Sequence, residues 1–372
     1  MNKAYVSDII SRMENPRILV INPGSTSTKL ACFEGGSAVC RENCEHSEEE
    51  LARFPDIPSQ EGYRFGVVEA FMVRHGILPE GIDAVAARGG LMKPVRSGVY
   101  RINRRMVEDL LHSKTIWGRE HASNLGCILA LRLSEMYGLP AFTADPVTVD
   151  EMADIARVSG FPDITRKSHL HALNIKAMAG RAAAELGIGL SEARLVVAHL
   201  GGGISVAAVD MGRIIDVNNA LLGMGPFSPQ RAGALPIGDL VDICYSGRYD
   251  KAALLSKLAR EGGLQGYLGI SDIKEVERRI GDGDVRASLI FSAMAYQVSK
   301  EIAAMAAALS GRVDAVVLTG GAAHSSRLVA EVGDRVAFIA RLLVYPGEAE
   351  MEALAAHAAG AMAGEEEVLS YE

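Results

Sequence analysis

Arg194-Leu-Val-Val-Ala-His-Leu-Gly-Gly-Gly-Ile-Ser-Val-Ala-Ala-Val-Asp210 reads as two β-strands joined by a turn that has no side chains. A β-branched apolar run stops at the polar His199, turns through Gly201, Gly202 and Gly203, and resumes as an alternating strand. Such a turn lets backbone N–H groups approach a large anion such as a phosphate. Glycine in a tight turn also has a purely steric explanation, so this stretch alone leaves both readings open.

The same pattern is written earlier in the chain. Arg17-Ile-Leu-Val-Ile-Asn-Pro-Gly-Ser-Thr-Ser-Thr-Lys-Leu-Ala-Cys-Phe33 overlays the first stretch without a gap at an offset of 177 residues (194 less 17). Asn22 falls on His199, Gly24 on Gly201, Ala31 on Ala208 and Gly35 on Gly212. Each copy continues to a further glycine turn and a third short strand. Past the first come a strand at 83–87, a helix around 121–137, a strand at 140–144 and a helix from 168 to 186. Past the second come a long helix around 285–309, a strand at 313–319, a helix near 322–332, a strand at 338–344 and a helix at 349–362. Both halves read β-β-β-α-β-α-β-α, which predicts a mixed sheet covered by helices on both faces. Internal duplication of this kind organises everything else. The expectation is an α/β chain of two duplicated domains, 1–190 and 191–348, with the C-terminal helix 349–372 a candidate to pack back on the first. Facing each other, they would set their hairpin turns on opposite walls of one nucleotide cleft.

Composition bounds the function. A length of 372 residues favours two domains, and 49% hydrophobic residues suffice for two ordinary cores. A net charge of −8 argues against a nucleic-acid partner, which needs clustered Lys and Arg. No apolar run is long enough for a membrane span; the alanine-rich stretch 302–309 follows Lys300 and Glu301 and reads as a buried helix face. The first sixteen residues are polar and charged, without the pattern of a secretory signal. Cys32, Cys40, Cys44, Cys127 and Cys244 are odd in number with no C-x-x-C spacing, as expected of reduced thiols in a cytoplasmic protein. Cys40, Cys44 and His46 form at most an incomplete metal ligand set.

With both hairpins in hand, the chain resembles the acetate kinase family of the sugar-kinase/Hsp70/actin ATPase superfamily, and within it the butyrate kinase branch. The residues that carry this are Val20-Ile-Asn-Pro-Gly-Ser-Thr-Ser-Thr-Lys29, Val197-Ala-His-Leu-Gly-Gly-Gly-Ile-Ser205 and Gly225-Pro-Phe-Ser-Pro-Gln-Arg-Ala-Gly233. Thr319-Gly-Gly321 and Val344-Tyr-Pro-Gly-Glu348 extend the match, so it covers nearly the whole chain. The resemblance implies a ribonuclease H-like, actin/Hsp70-type fold and reversible phosphoryl transfer from ATP to a short-chain fatty acid, giving an acyl phosphate and ADP. It further implies Mg²⁺ and assembly as a homodimer or larger homo-oligomer. A different class on the same scaffold is the Hsp70- or actin-like module, in which ATP drives conformational change. Arg88 and the absence of an appended peptide-binding or filament-forming insertion speak against it.

A carboxylate is ionised at neutral pH, its pKa lying near ~4, so it attacks phosphorus without a general base. Alignment and charge neutralisation remain, which calls for donors and cations. Asn22, Ser25 and Ser27 on the first turn match family residues that meet the phosphates and the acceptor, although Ser and Asn serve turns in any loop. Lys29 follows on the exit strand; no G-K-[ST] closes this turn, so it is not a P-loop. Arg88 ends the strand at 83–87 before Gly89-Gly90, where a planar fork can reach a carboxylate or phosphoryl group. It matches the family's arginine for that task. Asp145, before Pro146, matches the family's active-site aspartate near the metal-bound phosphates, its alternative being a turn cap.

His199 takes the place of Asn22 in the second hairpin and can donate to the moving phosphoryl. His169 and His171 are weaker candidates; His169 matches a family Ser-His pair. Gly201, Gly202 and Gly203, with Gly320 and Gly321 after Thr319, are assigned by resemblance to the nucleotide, the latter beside a helix N-terminus that favours anions. Glu348 matches the family's metal-associated glutamate in an alignment ambiguous by one residue, and reads equally as the acidic first turn of a helix. Two positions depart from the pattern. The family's second arginine is missing at Pro236-Ile-Gly-Asp239, with Arg231 the nearest substitute, and Gly90 stands where acetate kinases carry a β-branched residue. Loss of that side chain is expected to deepen the carboxylate pocket and favour an acid longer than acetate, graded at ~1–3 kcal/mol per methylene.

Overall fold

The computed structural model describes residues 15–118 and 120–372. Twelve strands form two sheets: β1 (Arg17–Pro23), β2 (Ser27–Glu34), β3 (Ser37–Glu45), β4 (Ala84–Ala87), β5 (Val99–Arg101), β6 (Ala141–Ala144), β7 (Arg194–Leu200), β8 (Ile204–Asp210), β9 (Arg213–Val217), β10 (Ala315–Gly320), β11 (Arg341–Pro346) and β12 (Val368–Leu369). The helices that cover them are α1 (Glu61–Arg74), α2 (Asn124–Tyr137), α3 (Ala172–Leu186), α4 (Val285–Ala308), α5 (Ser326–Val336) and α6 (Glu350–Ala363). The chain divides into two compact units, residues 1–149 with 349–372, and residues 150–348.

The first sheet runs β12-β5-β6-β4-β1-β2-β3 and the second β11-β10-β7-β8-β9. Removing β5 and β12 leaves the same order in both, antiparallel at the hairpins and parallel inward. The duplication read from the two glycine stretches is therefore a duplication of topology. β1 and β7 are near-continuous apolar runs because both their faces are covered. In the first unit α2 and α6 both contact β1, β4 and β6, so they lie on opposite faces. In the second, α4 packs on β7–β9 while α3 covers β7 and β10. Side chains cap the helices where expected: Asp284 accepts from Ala287 N at α4, Ser325 from Leu328 N at α5, and α3 ends at Gly187 with φ +72°.

Four expectations change. The boundary falls between Val149 and Asp150, not at 190, because α3 packs on the second sheet and α6 returns to the first. Helix 168–186 starts only at Ala172, and the stretch expected as one helix near 322–332 is a 3₁₀ turn, Gly321–His324, followed by α5. The gapless overlay also fails past the turn. Pro23 pairs with Thr28 around four residues, whereas Leu200 pairs with Ile204 around three. Ala31 thus faces Val20, and its counterpart facing Val197 is Ala207 instead of Ala208. With that one-residue correction the two sheets break register at equivalent points, between Cys32 and Phe33 and between Ala208 and Val209.

Candidate active site

The carboxyl ends of β1 and β4 bring Asn22 and Arg88 together in the first unit. Arg88 N donates to Ile21 O at 3.0 Å, which extends the parallel pairing by one residue and fixes the start of the arginine. Its guanidinium Nη1 lies 3.1 Å from Glu350 Oε2, and Asn22 Nδ2 donates to the same oxygen at 2.9 Å. The Glu350 side chain is 3% exposed and that of Arg88 18%, so the carboxylate anchors and the guanidinium reaches outward. Glu350 was not singled out from the sequence. It opens α6, where an acidic residue is ordinary, and its partners lie at the other end of the chain.

Gly89 and Gly90 have a packing reason. A Cβ on Gly90 would stand 2.3 Å from Asn124 Oδ1 and 2.6 Å from Asn124 Cα, and one on Gly89 2.6 Å from Pro146 Cβ. Asn124 in turn accepts from Leu91 N at 2.8 Å and donates to Ser113 Oγ at 2.7 Å. The space beside Gly90 is therefore filled by the first turn of α2. The expected deeper carboxylate pocket is absent there.

Asp145 follows β6 with φ +40°, a region rare for a residue with a Cβ and one that persists where surroundings over-determine it. Its Oδ1 accepts from Ser97 Oγ at 2.6 Å and Gly98 N at 3.0 Å. Among the described residues nothing donates to Oδ2. One oxygen of the buried side chain thus caps a loop, as the turn-cap reading expects. Ser25 is exposed and Ser27 half-buried on the four-residue turn, closed by Gly24 N donating to Ser27 O at 2.7 Å.

In the second unit His199 is buried at the end of β7. Asn174 Nδ2, on α3, donates to His199 Nδ1 at 2.8 Å and to Thr319 Oγ1 at 3.2 Å, and Thr319 Oγ1 donates to Gly347 O at 3.2 Å. In the neutral ring this leaves the proton on Nε2, which lies 3.9 Å from Glu348 Oε1. The His171 ring stacks on His199 with centroids 4.0 Å apart and is tied by Nδ1 to Ser205 Oγ at 2.8 Å. His169 is buried and bonds Asn219 Nδ2 through Nδ1 at 3.2 Å.

The glycines divide by cause. A Cβ on Gly203 would stand 2.1 Å from Arg231 Nη1, so this glycine admits the arginine. Arg231 Nη1 also donates to Ala220 O, and Ser228 Oγ donates to Gly202 O at 2.6 Å, bracing the turn from the segment quoted above. Gly320, at φ +90°, lies where a Cβ would meet Leu200 O at 2.3 Å. Gly321 and the outer face of Gly202 are the open positions, Gly321 with nothing within 4 Å. A cavity of about 260 Å³ adjoins Arg231, lined by Leu221, Leu222, Met224, Leu235 and Leu258 with Ser228 at its polar end.

Among the described residues no cluster of three His, Cys, Asp or Glu could hold a metal. Mg²⁺ takes only one or two carboxylates beside phosphate oxygens and water. Asp145 in the first unit, or the one-third exposed Glu348 in the second, fits that demand; Glu350 is committed to Arg88 and Asn22. Also missed from the sequence were Asn174 and Arg64. Asn174 had a signal, lying three residues after His171 in the first turn of α3.

Comparison with known proteins identifies the family and the fold. Residues 163–360 match the acetokinase family. The chain is 47% identical over 350 residues to the probable butyrate kinase 2 of Caldanaerobacter subterraneus subsp. tengcongensis, covering 94% of this chain and 98% of that protein. Its fold is similar to that of the acetate kinase of Porphyromonas gingivalis, at 19% identity and a TM-score of 0.74, over 92% of this chain and 98% of that one. It is equally similar to a propionate kinase from Francisella tularensis subsp. tularensis SCHU S4, at 20% identity and a TM-score of 0.73 with the same coverage of both chains.

Proposed function

The chain belongs to the acetokinase family, and we propose that it phosphorylates a short-chain carboxylic acid with ATP, butyrate being the preferred acceptor. The observation that carries this is Arg88, held at the ends of β1 and β4 by the buried Glu350 and accompanied by Asn22. A carboxylate oxygen attacks the γ-phosphorus of ATP. One P–O bond forms, the bond to the bridging oxygen breaks with its electron pair leaving on ADP, and no proton moves. Arg88 and Asn22 neutralise and align the acceptor and the equatorial oxygens. His199 donates from Nε2, and the open positions Gly202 and Gly321 let the nucleotide approach the backbone. When bound, Mg²⁺ would supply charge neutralisation at the phosphate oxygens, with Asp145 or Glu348 a residue to hold it.

With the space at Gly90 closed, the residues beside Arg88 offer no deeper pocket at that point for a longer acyl chain. Isobutyrate and propionate, which differ from butyrate by branching or one methylene, are the alternative acceptors. The exposed apolar face of the helix Ile237–Tyr245, with Ile237 78% and Tyr245 88% exposed, supports assembly of copies into a homo-oligomer. Free cysteines fit a reducing cytoplasm; no helix among the described residues is long and apolar enough to cross a membrane. A hydroxamate assay with ATP, Mg²⁺ and acids of two to five carbons tests the reading. Butyrate should give the highest kcat/KM; no acyl phosphate from any of them would replace it with an ATP-driven conformational module.

A further inference from the structure

Arg64 is the bulkiest fully buried side chain among the described residues. It projects from α1 under the first hairpin turn, and all five of its N–H groups are bonded. Nε and Nη2 donate to Gln60 Oε1 at 3.2 and 3.0 Å, Nη1 to Ser27 O and Thr28 Oγ1, each at 2.8 Å, and Nη2 to Ser25 O at 3.3 Å. None of these partners is a carboxylate. A buried ion normally sits beside a counter-charge, because desolvation otherwise goes uncompensated. Here a whole positive charge is solvated by dipoles alone, and two of those dipoles are the peptide groups of the turn.

That arrangement orients the turn. The Ser25 and Ser27 carbonyls point in toward the guanidinium. The peptide bonds are trans, so the N–H of the Ser25–Thr26 peptide points the opposite way, out of the turn. A second bond network locks the pose: His46 N donates to Thr26 O at 2.8 Å, and the Thr28 hydroxyl, which accepts from Arg64, donates to His46 Nε2 at 2.8 Å. His46 Nδ1 then donates to Tyr63 OH at 2.9 Å, one residue before Arg64 on α1. The second hairpin has an arginine of its own, Arg231 against Gly203, but that one is only half-buried.

We propose that Arg64 is the positioning residue of the first hairpin turn: its buried charge turns the carbonyls of Ser25 and Ser27 inward and the Thr26 N–H outward, making the turn a receptor for phosphoryl oxygens. The inference rests on the reading that this turn meets the transferred group. It adds a cation that touches neither substrate yet sets the field and the donor geometry they meet. Lysine, with one charge but no fork, can restore the field and only part of the geometry.

The test compares Arg64→Met, Arg64→Lys and Thr28→Val in the full chain. Thermal melts, kcat and KM for ATP and for butyrate, and calorimetric titration with ADP and with inorganic phosphate are the readouts. Arg64→Met should lower kcat at least ~100-fold and weaken phosphate at least ~10-fold, with the ADP affinity within threefold of the parent. Arg64→Lys should recover at least ~10-fold of that kcat. Equal loss in both variants, or kcat within threefold of the parent in Arg64→Met, overturns the inference. Should Arg64→Met show no cooperative melt, Thr28→Val decides: a fall in kcat of about tenfold at unchanged KM for ATP supports it, and no fall sinks it. Phosphate titration needs no turnover. A parent chain that makes no acyl phosphate, while Arg64→Met still loses phosphate binding, defeats the proposed reaction and leaves this inference standing.

Discussion

Glu350 holds Arg88 from behind: their charged atoms are 3.1 Å apart, with the carboxylate almost wholly buried and the guanidinium reaching toward solvent. The asymmetry predicts unequal effects on stability. Arg88→Met strands a buried carboxylate and should destabilise the fold by about 3–5 kcal/mol, whereas Glu350→Gln leaves a cation that can turn to water and should lose less. Both should lose kcat, Arg88→Met by ~10³-fold or more and Glu350→Gln by ~10–100-fold. Urea denaturation of the single and double variants checks this; the double variant should regain stability without activity.

Gly90→Ala should fail as a specificity switch. Its methyl group would overlap the backbone of Asn124, and overpacking of that kind destabilises by about 1–3 kcal/mol. The melting temperature should drop while the ratio of kcat/KM for butyrate and acetate stays within a factor of two or so. A changed ratio in a stable protein would restore the pocket beside Gly90.

Asn174→Asp should damage His199 without touching substrate. The amide donates to Nδ1; a carboxylate there can only accept and draws the imidazole proton to Nδ1, away from the phosphoryl side. A fall in kcat of about 10²-fold is expected, with an altered pH profile and nearly unchanged KM for ATP. An unaltered pH profile would show that the histidine tautomer has no part in the rate.

His46 gives the fold an acid-sensitive point. Burial first, and then the Arg64 charge, push its pKa from 6.5 down to about 4. The unfolded chain therefore binds this proton more readily than the folded one between those values. Its contribution to stability is complete above about pH 6.5 and is lost as pH falls toward about 4. Denaturation of the parent and of His46→Gln at intervals across this range should show a shallower acid loss in the variant.

Much of the fold was legible because it is written in periodicity. β1 and β7 are continuous apolar runs closed by a polar residue, and the glycines after them leave few conformations. Arg88 could be placed from the strand before it and the glycines after. The one-residue difference between the hairpins was hidden, since a four-residue and a three-residue turn occupy the same gapless alignment until strand pairing is seen. Gly90 misled because a missing side chain reads alike whether the space is empty or occupied by a helix. Arg64 reads as a polar position on an exposed helix face; only the carbonyls beneath the turn explain its burial. β5 and β12, of three and two residues, are too short to carry a pattern.

The return of α6 to the first sheet has a consequence for biosynthesis. The chain lays down β1 to β6 first, yet Glu350, the anchor of Arg88, and β12, the edge beside β5, follow the whole second unit. During translation at roughly 5–20 residues per second the second unit is complete before the first can be. Tyr371 adds a late clasp, its hydroxyl donating to Asp109 at 2.8 Å and accepting from Lys93 N at 3.0 Å. The half of the chain made first is thus completed after the second unit, and Arg88 gains its counter-ion only once that unit has been made.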